Sequence, residues 1–319
     1  MSRFSPSDAA LEGFRLTREK PLAVLVWAAI RIVFSVASLA LLFGLGGETF
    51  EKFVALENGP AKASPELALP MVQQLMPAVS IVALVSLVFY AVIYTAVLRA
   101  ILRPADRRFA YLRLSMDEAR QFGLAVIGFL LFLAYIFVAS IVSGLLIGVS
   151  STLGPAGAVV QIVVILALVA AFVYPLVRLS LAPAMTFADK RITLFRSLPV
   201  TKGQFWSVFG AYVLALVLTV VVCLLAAVVF MFVMGAIGIA QGGLAALPAM
   251  MGAMQPDDMT LKGFLAPMRL ANLVFSAILG TLAYLIMFAP AAAIFRELTG
   301  RVGAPTATAA APKPGQPWG

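Results

Sequence analysis

The side chains of this sequence best suited to recognising another molecule are cationic and aromatic. Arg107, Arg108 and Arg113 form one group; Lys190, Arg191 and Arg196 form a second, followed by Phe205 and Trp206. Cations beside aromatic rings suit anionic lipid headgroups, because the charges meet lipid phosphates while the rings settle at headgroup depth. A third candidate, Arg31, stands inside a long apolar run, and Asn272 is a polar residue inside another. A charge within a membrane span is costly and marks a functional site by default. The partners expected for Arg31 are Asn272, tyrosines, carbonyls freed by Pro175, Pro183 or Pro290, or a lipid phosphate. The competing expectation is that Arg31 snorkels toward the start of its helix, roughly 15 Å away by helical rise.

Other chemistries have little to work with. The chain contains no histidine, and its single cysteine, Cys223, lies in an apolar run. The commonest general base and the commonest metal ligand are therefore missing. Met250, Met251, Met254 and Met259 fall in the stretch 242–266, with Met268 just beyond. Thioethers bind copper(I), but no cysteine or histidine stands beside these, and methionine also serves as apolar filler. Paired carboxylates within an apolar run, a phosphate-cradling glycine loop and a Ser-His-Asp set are all absent. No catalytic residue, metal ligand or cofactor is assigned.

The elements that must position these residues are membrane helices. Hydrophobic residues make up 62% of the 319, and charged residues only 12%, a balance that leaves too little polar surface for a soluble fold. Runs long enough to cross a bilayer are Pro21–Gly44, Pro77–Leu102, Phe122–Val149, Val159–Ala182, Phe205–Ile239 and Pro267–Phe295. The fifth is long enough to be tilted or broken at Gly235 and Gly238. Of 23 lysines and arginines, 18 fall in residues 3–20, 99–120, 178–202 and 296–313. The intervening stretches 45–76, 150–158 and 242–266 contain only Lys52, Lys62 and Lys262. This alternation follows the positive-inside rule and predicts both termini in the cytoplasm. The net charge of +9 is explained by topology, and nucleic acid is not an expected partner.

The expected organisation is an all-α polytopic protein: a cytoplasmic amphipathic segment 1–20, a six-helix transmembrane domain 21–302 and a disordered cytoplasmic tail 303–319. Residues 1–20 are too polar, and the run after them too long, for a cleaved signal peptide. The uncharged 150–158 link predicts a tight hairpin of spans three and four. Short interfacial helices are expected over 5–18 and 190–198, the latter from Ile192, Phe195 and Leu198. Either could sense lipid or simply anchor a loop. The odd-numbered spans share a prelude with capping-box spacing: Ser5 with Asp8, Ser115 with Glu118 and Thr201 with Gln204. The even-numbered spans end on a tyrosine before Arg99, Arg178 or Arg296. Three copies of one helical hairpin would produce this pattern; so would the general needs of helix caps and interfacial belts.

One stretch carries a family resemblance. Leu181-Ala182-Pro183, Asp189, Arg196-Ser197, Thr201, Gly203, Phe205-Trp206 and Gly210 resemble the membrane domain of bacterial glycerophosphoryl diester phosphodiesterases, which stand-alone six-span proteins share. Phe4-Ser5, Asp8-Ala9, Glu12-Gly13-Phe14 and Pro21 resemble the start of the same domain. Asp189 stands where glutamate is expected, and Leu198 where tryptophan is frequent. The catalytic barrel of those enzymes is not among these residues. The resemblance thus implies a fold and a lipid neighbourhood, not phosphodiesterase activity. The expected role is a non-enzymatic lipid-associated or assembly module of the bacterial inner membrane, with anionic lipids and other membrane proteins as partners. The alternatives are a small transporter or permease subunit with an anion site near Arg31, or a membrane-embedded lipid enzyme.

Overall fold

The computed structural model describes residues 4–58, 65–150, 154–243 and 266–300. Its elements are α1 (Pro6–Ala10), α2 (Glu12–Glu19), α3 (Pro21–Asn58), α4 (Pro65–Leu102), α5 (Met116–Ser150), α6 (Pro155–Leu179), α7 (Ala182–Asp189), α8 (Ser197–Val200), α9 (Phe205–Gly242) and α10 (Pro267–Thr299). Six of these segments are long and apolar enough to cross a membrane, α6 and α7 forming one span. The chain is an all-α polytopic membrane protein. The methionines between 250 and 259 and the C-terminal tail lie outside the described residues.

The spans are longer than the apolar runs alone indicate. Helix α3 continues past Gly44, bending at Gly47, so that Glu48, Glu51 and Lys52 are helical. Lys52 pairs with Glu48 at 3.2 Å, an i,i+4 pair that supports the extension. Helix α4 begins at Pro65 and carries Pro70 and Pro77 within it. Helix α9 is one unbroken helix through Gly235 and Gly238, about 57 Å long.

Consecutive spans form three antiparallel hairpins, each with its own register. In the first, the Thr49 hydroxyl donates to Gln74 at 3.3 Å, Phe34 stacks on Phe89 at 3.9 Å, and Arg31 reaches Tyr90. In the second, Gln161 donates to the Ser150 hydroxyl at 2.7 Å, the Tyr135 hydroxyl donates to the Leu168 carbonyl at 2.7 Å, and Phe172 packs on Tyr135. This is the expected tight hairpin of spans three and four. In the third, Phe230 stacks on Phe275 at 4.3 Å, and Ala215 packs with Ile286. Rising numbers on one helix meet falling numbers on the next, which defines the antiparallel sense.

The fold comprises two compact units. One contains the described parts of Met1–Ala9, Tyr94–Ala211 and Ala289–Gly319; the other contains Ala10–Ile93 and Tyr212–Phe288. In the first, the core is built from Thr95–Leu98, Leu181, Ala184, Phe187, Val208 and Ala291–Phe295. Along α5 and α6, by contrast, Phe129, Leu130, Phe137, Leu145, Val159, Ile162 and Leu166 are exposed. Apolar rows this long facing outward are what lipid solvates.

In the second unit, Ala10 is buried with Ala215 and Ile286, and Phe14 packs against them. A Cβ on Gly13 would lie 2.7 Å from the Ile286 Cα. The expected interfacial helix 5–18 is thus two pieces, α1 and α2, parted at Leu11, and α2 is seated on protein. The helix expected over 190–198 does not form. Lys190 ends α7 in the left-handed conformation, φ 53°, and the Thr193 amide donates to the Thr186 hydroxyl at 3.2 Å. A side-chain acceptor there competes with the helical backbone, and only Ser197–Val200 is helical.

Candidate functional site

Short segments between the spans of the first unit carry most of the candidate residues, and buried arginines hold those segments in place. Arg99, in the last turn of α4, is 3% exposed. Its Nη1 donates to the Tyr111 carbonyl at 2.5 Å, and its Nη2 to Glu118 Oε1 at 2.7 Å. The Glu118 carboxylate also accepts the Ser115 amide at 2.9 Å and the Ser115 hydroxyl at 2.6 Å. That is the capping box expected from the sequence, joined to a buried ion pair. Arg103, 4% exposed, donates to Asp117 at 3.3 Å and to the Phe187 carbonyl at 3.2 Å, with its guanidinium 4.2 Å over the Phe187 ring. Gln121 adds a bond to the Pro183 carbonyl at 2.8 Å. Together these ties bind 99–121 to 183–187.

A second tie uses Arg178. Its Nε donates to the Thr201 hydroxyl at 2.9 Å, its Nη1 to the Tyr174 hydroxyl at 3.0 Å and its Nη2 to the Leu198 carbonyl. The Ser197 hydroxyl returns a bond to the Arg178 carbonyl at 2.6 Å. Thr201 therefore does not cap α9 with Gln204, as its spacing suggested. Its hydroxyl is committed to Arg178 and to the Ser197 carbonyl at 2.9 Å. At Ser5 half of a box forms, the Asp8 amide donating to the hydroxyl at 3.4 Å.

What these ties display is charged and aromatic. Phe109, Ala110 and Tyr111 form a left-handed turn, φ 47°, 54° and 66°. Such backbone costs roughly 1–2 kcal/mol per residue and persists only where neighbours impose it. Here Arg99 grips the Tyr111 carbonyl, the buried Tyr111 ring anchors the turn, and Phe109 projects outward, 86% exposed. Leu114 is 85% exposed. Arg107, Arg108 and Arg113 are exposed in the same stretch, as are Lys190 and Arg191 in the segment after α7. None of these five makes an ion pair among the described residues. Arg196 is exposed but pairs with Asp189 at 3.1 Å, which makes it the least available of the candidates. Trp206 is 77% exposed and lies edge-on to the half-buried Phe205, which packs on Tyr174 at 5.1 Å.

The headgroup candidates thus lie on or beside segments held by these two sets of ties. The structure adds Phe109, Leu114 and Lys202, exposed residues that sequence reasoning passed over. Exposure of single apolar residues in loops leaves no periodic signal. Among the described residues, no group of three or more Cys, Asp or Glu side chains is placed to hold a metal ion.

Arg31 belongs to the second unit. Its Nη1 donates to the Gly280 carbonyl at 3.1 Å and its Nη2 to the Tyr90 hydroxyl at 3.3 Å. The guanidinium lies 5.5 Å from the Tyr90 ring centre. It reaches sideways between helices, so the snorkelling expectation is not what is seen. Asn272 is exposed and makes no bond to Arg31, and none of the proline-freed carbonyls is the acceptor. Gly280 makes the seat: a Cβ there would come within 3.1–3.3 Å of the Arg31 guanidinium. The arrangement offers positive charge and hydrogen-bond donors without a compensating carboxylate. Against family models, curated proteins and solved structures, this chain finds no match.

Proposed function

We propose that this chain is a non-enzymatic, lipid-associated module of the bacterial inner membrane that gathers anionic phospholipid headgroups at its cytoplasmic face. The observation that carries the reading is a division of labour among arginines. Arg99, Arg103 and Arg178 are consumed in the ties that shape the inter-span segments. Arg107, Arg108, Arg113, Lys190 and Arg191 stand exposed on those same segments, as do Phe109 and Leu114 and, at the start of α9, Trp206. Unpaired cations among exposed apolar groups, at the ends of transmembrane helices, suit lipid phosphates and the acyl boundary. The resemblance to a phosphodiesterase membrane domain agrees with a lipid neighbourhood. The basic bias of these segments supports a cytoplasmic placement.

Each cation near an anionic surface contributes about 1 kcal/mol. Replacing Arg107, Arg108 and Arg113 with glutamine should therefore weaken phosphatidylglycerol retention by roughly a hundredfold in native mass spectrometry. Retention equal to that of the unaltered protein would overturn the reading. Orientation has its own check. A single cysteine introduced at Arg108, in a Cys223→Ser background, should react with an impermeant maleimide in inside-out vesicles and stay unlabelled in intact cells. Labelling of intact cells would reverse the topology.

A further inference from the structure

We propose that Arg31 and Tyr90 form a second, intramembrane seat for a phosphate oxyanion, supplied by a phospholipid that leans against the first hairpin. The proposal is independent of the exposed cations at the inter-span segments.

Depth is the first observation. Arg31 lies roughly 15 Å along α3 from Pro21, and Tyr90 about 18 Å from the end of α4 at Leu102, by helical rise. With a hydrocarbon core of about 30 Å, the pair stands well inside the apolar zone. The second observation is charge. No carboxylate pairs with Arg31 among the described residues, and its two hydrogen-bond partners are neutral oxygens. A guanidinium has five N–H donors, so these partners satisfy its geometry only in part and its charge not at all.

The third observation is what the neighbours leave open. Tyr90 Oη accepts from Arg31, so its own O–H must point elsewhere, and a second donor stands beside the cation. The Tyr284 hydroxyl donates to the Tyr90 carbonyl at 3.4 Å. Tyr90 is 36% exposed and Arg31 partly exposed, so the donors open on the outer surface of the hairpin. Ile30, Val33 and Val88 are exposed on the same two helices and offer contact to acyl chain. A forked cation beside a hydroxyl donor matches phosphate, and the apolar border favours a phosphate carried on a lipid over a free one.

The test uses the full chain, delipidated in detergent, with Arg107, Arg108, Arg113, Lys190 and Arg191 all changed to glutamine so that those sites are silent. Phosphatidylglycerol and inorganic phosphate are then titrated separately, and binding is read by native mass spectrometry and by phosphorus NMR line broadening. One tightly bound phospholipid is expected, weakened at least tenfold by Arg31→Gln, several-fold by Tyr90→Phe, and only partly restored by Arg31→Lys, which lacks the fork. Gly280→Ala, which crowds the guanidinium, should also weaken it. Because these last substitutions are mild, the question stays decidable even if Arg31→Gln fails to fold. Binding of inorganic phosphate without phospholipid would support the seat and overturn its lipid source. Unchanged lipid binding in folded Arg31→Gln, or in both Tyr90→Phe and Gly280→Ala, would overturn the seat.

Discussion

Glu118→Ala should cost about 3–5 kcal/mol, because it leaves Arg99 buried without its counter-charge. The nearest remaining carboxylate oxygen, Asp117 Oδ2, is 4.0 Å from Arg99 Nη2 and is already shared with Arg103, while Asp117 Oδ1 pairs with Arg120. The same substitution removes the acceptor for the Ser115 amide and hydroxyl, so the start of α5 loses its cap as well. The left-handed turn at 109–111 should loosen with it, since Arg99 is what holds the Tyr111 carbonyl. Equilibrium unfolding in mixed micelles would read the stability loss, and amide hydrogen exchange across 105–115 would read the loosening. Glu118→Gln keeps an acceptor and should lose less. A double variant with Arg99→Met should recover part of the deficit, because the orphaned charge disappears with its partner. A Glu118→Ala protein as stable as the original, with protected 105–115 amides, would contradict this account.

Gly13→Ala is the second large effect, and its sign is informative. At an unconstrained helical site, glycine to alanine stabilises by about 0.5–1 kcal/mol. Here the new methyl group would meet the backbone of α10, 2.7 Å from Leu285 O and 2.8 Å from Ile286 N, and backbone cannot rotate out of the way. Helix α2 must back off, opening the packing of Ala10 and Phe14 against Ile286. Overpacking of this kind costs about 1–3 kcal/mol. Gly128→Ala supplies the control: nothing lies within 4 Å of that position, so the ordinary helix gain is expected. Unfolding in micelles should separate the two variants in opposite directions. Limited trypsin digestion at Arg15 and Arg18 should accelerate only for Gly13→Ala. Equal stabilisation by both would show that the close approach of α2 and α10 carries no weight.

The positions of these two sites differ in how much of them could be read in advance. Ser115 and Glu118 are legible from spacing, because a capping box is a local device that closes within one helical turn. Thr201 and Gln204 have the same spacing and do not close, because Arg178 arrives from 23 residues earlier and takes the hydroxyl. Gly13 is marked only as a glycine beside an aromatic residue. Its constraint comes from a helix more than 270 residues away in sequence.

What the amino-acid order determines by itself is the membrane architecture: six spans, their hairpin sequence and the basic bias of the segments that join them. Transfer into lipid is a sum of per-residue costs along a short window, so it survives without knowledge of neighbours. Arg99 and Arg107 show where that additivity ends. They have identical chemistry and stand two turns apart in sequence, yet one is buried against Glu118 and the other exposed. Only the tertiary structure decides which guanidinium finds a carboxylate, which is left exposed, and that Arg31 finds Tyr90 and Gly280 in place of Asn272. The reason is that pairing depends on which distant segments meet, and burial leaves a charge no alternative to the partners it meets there.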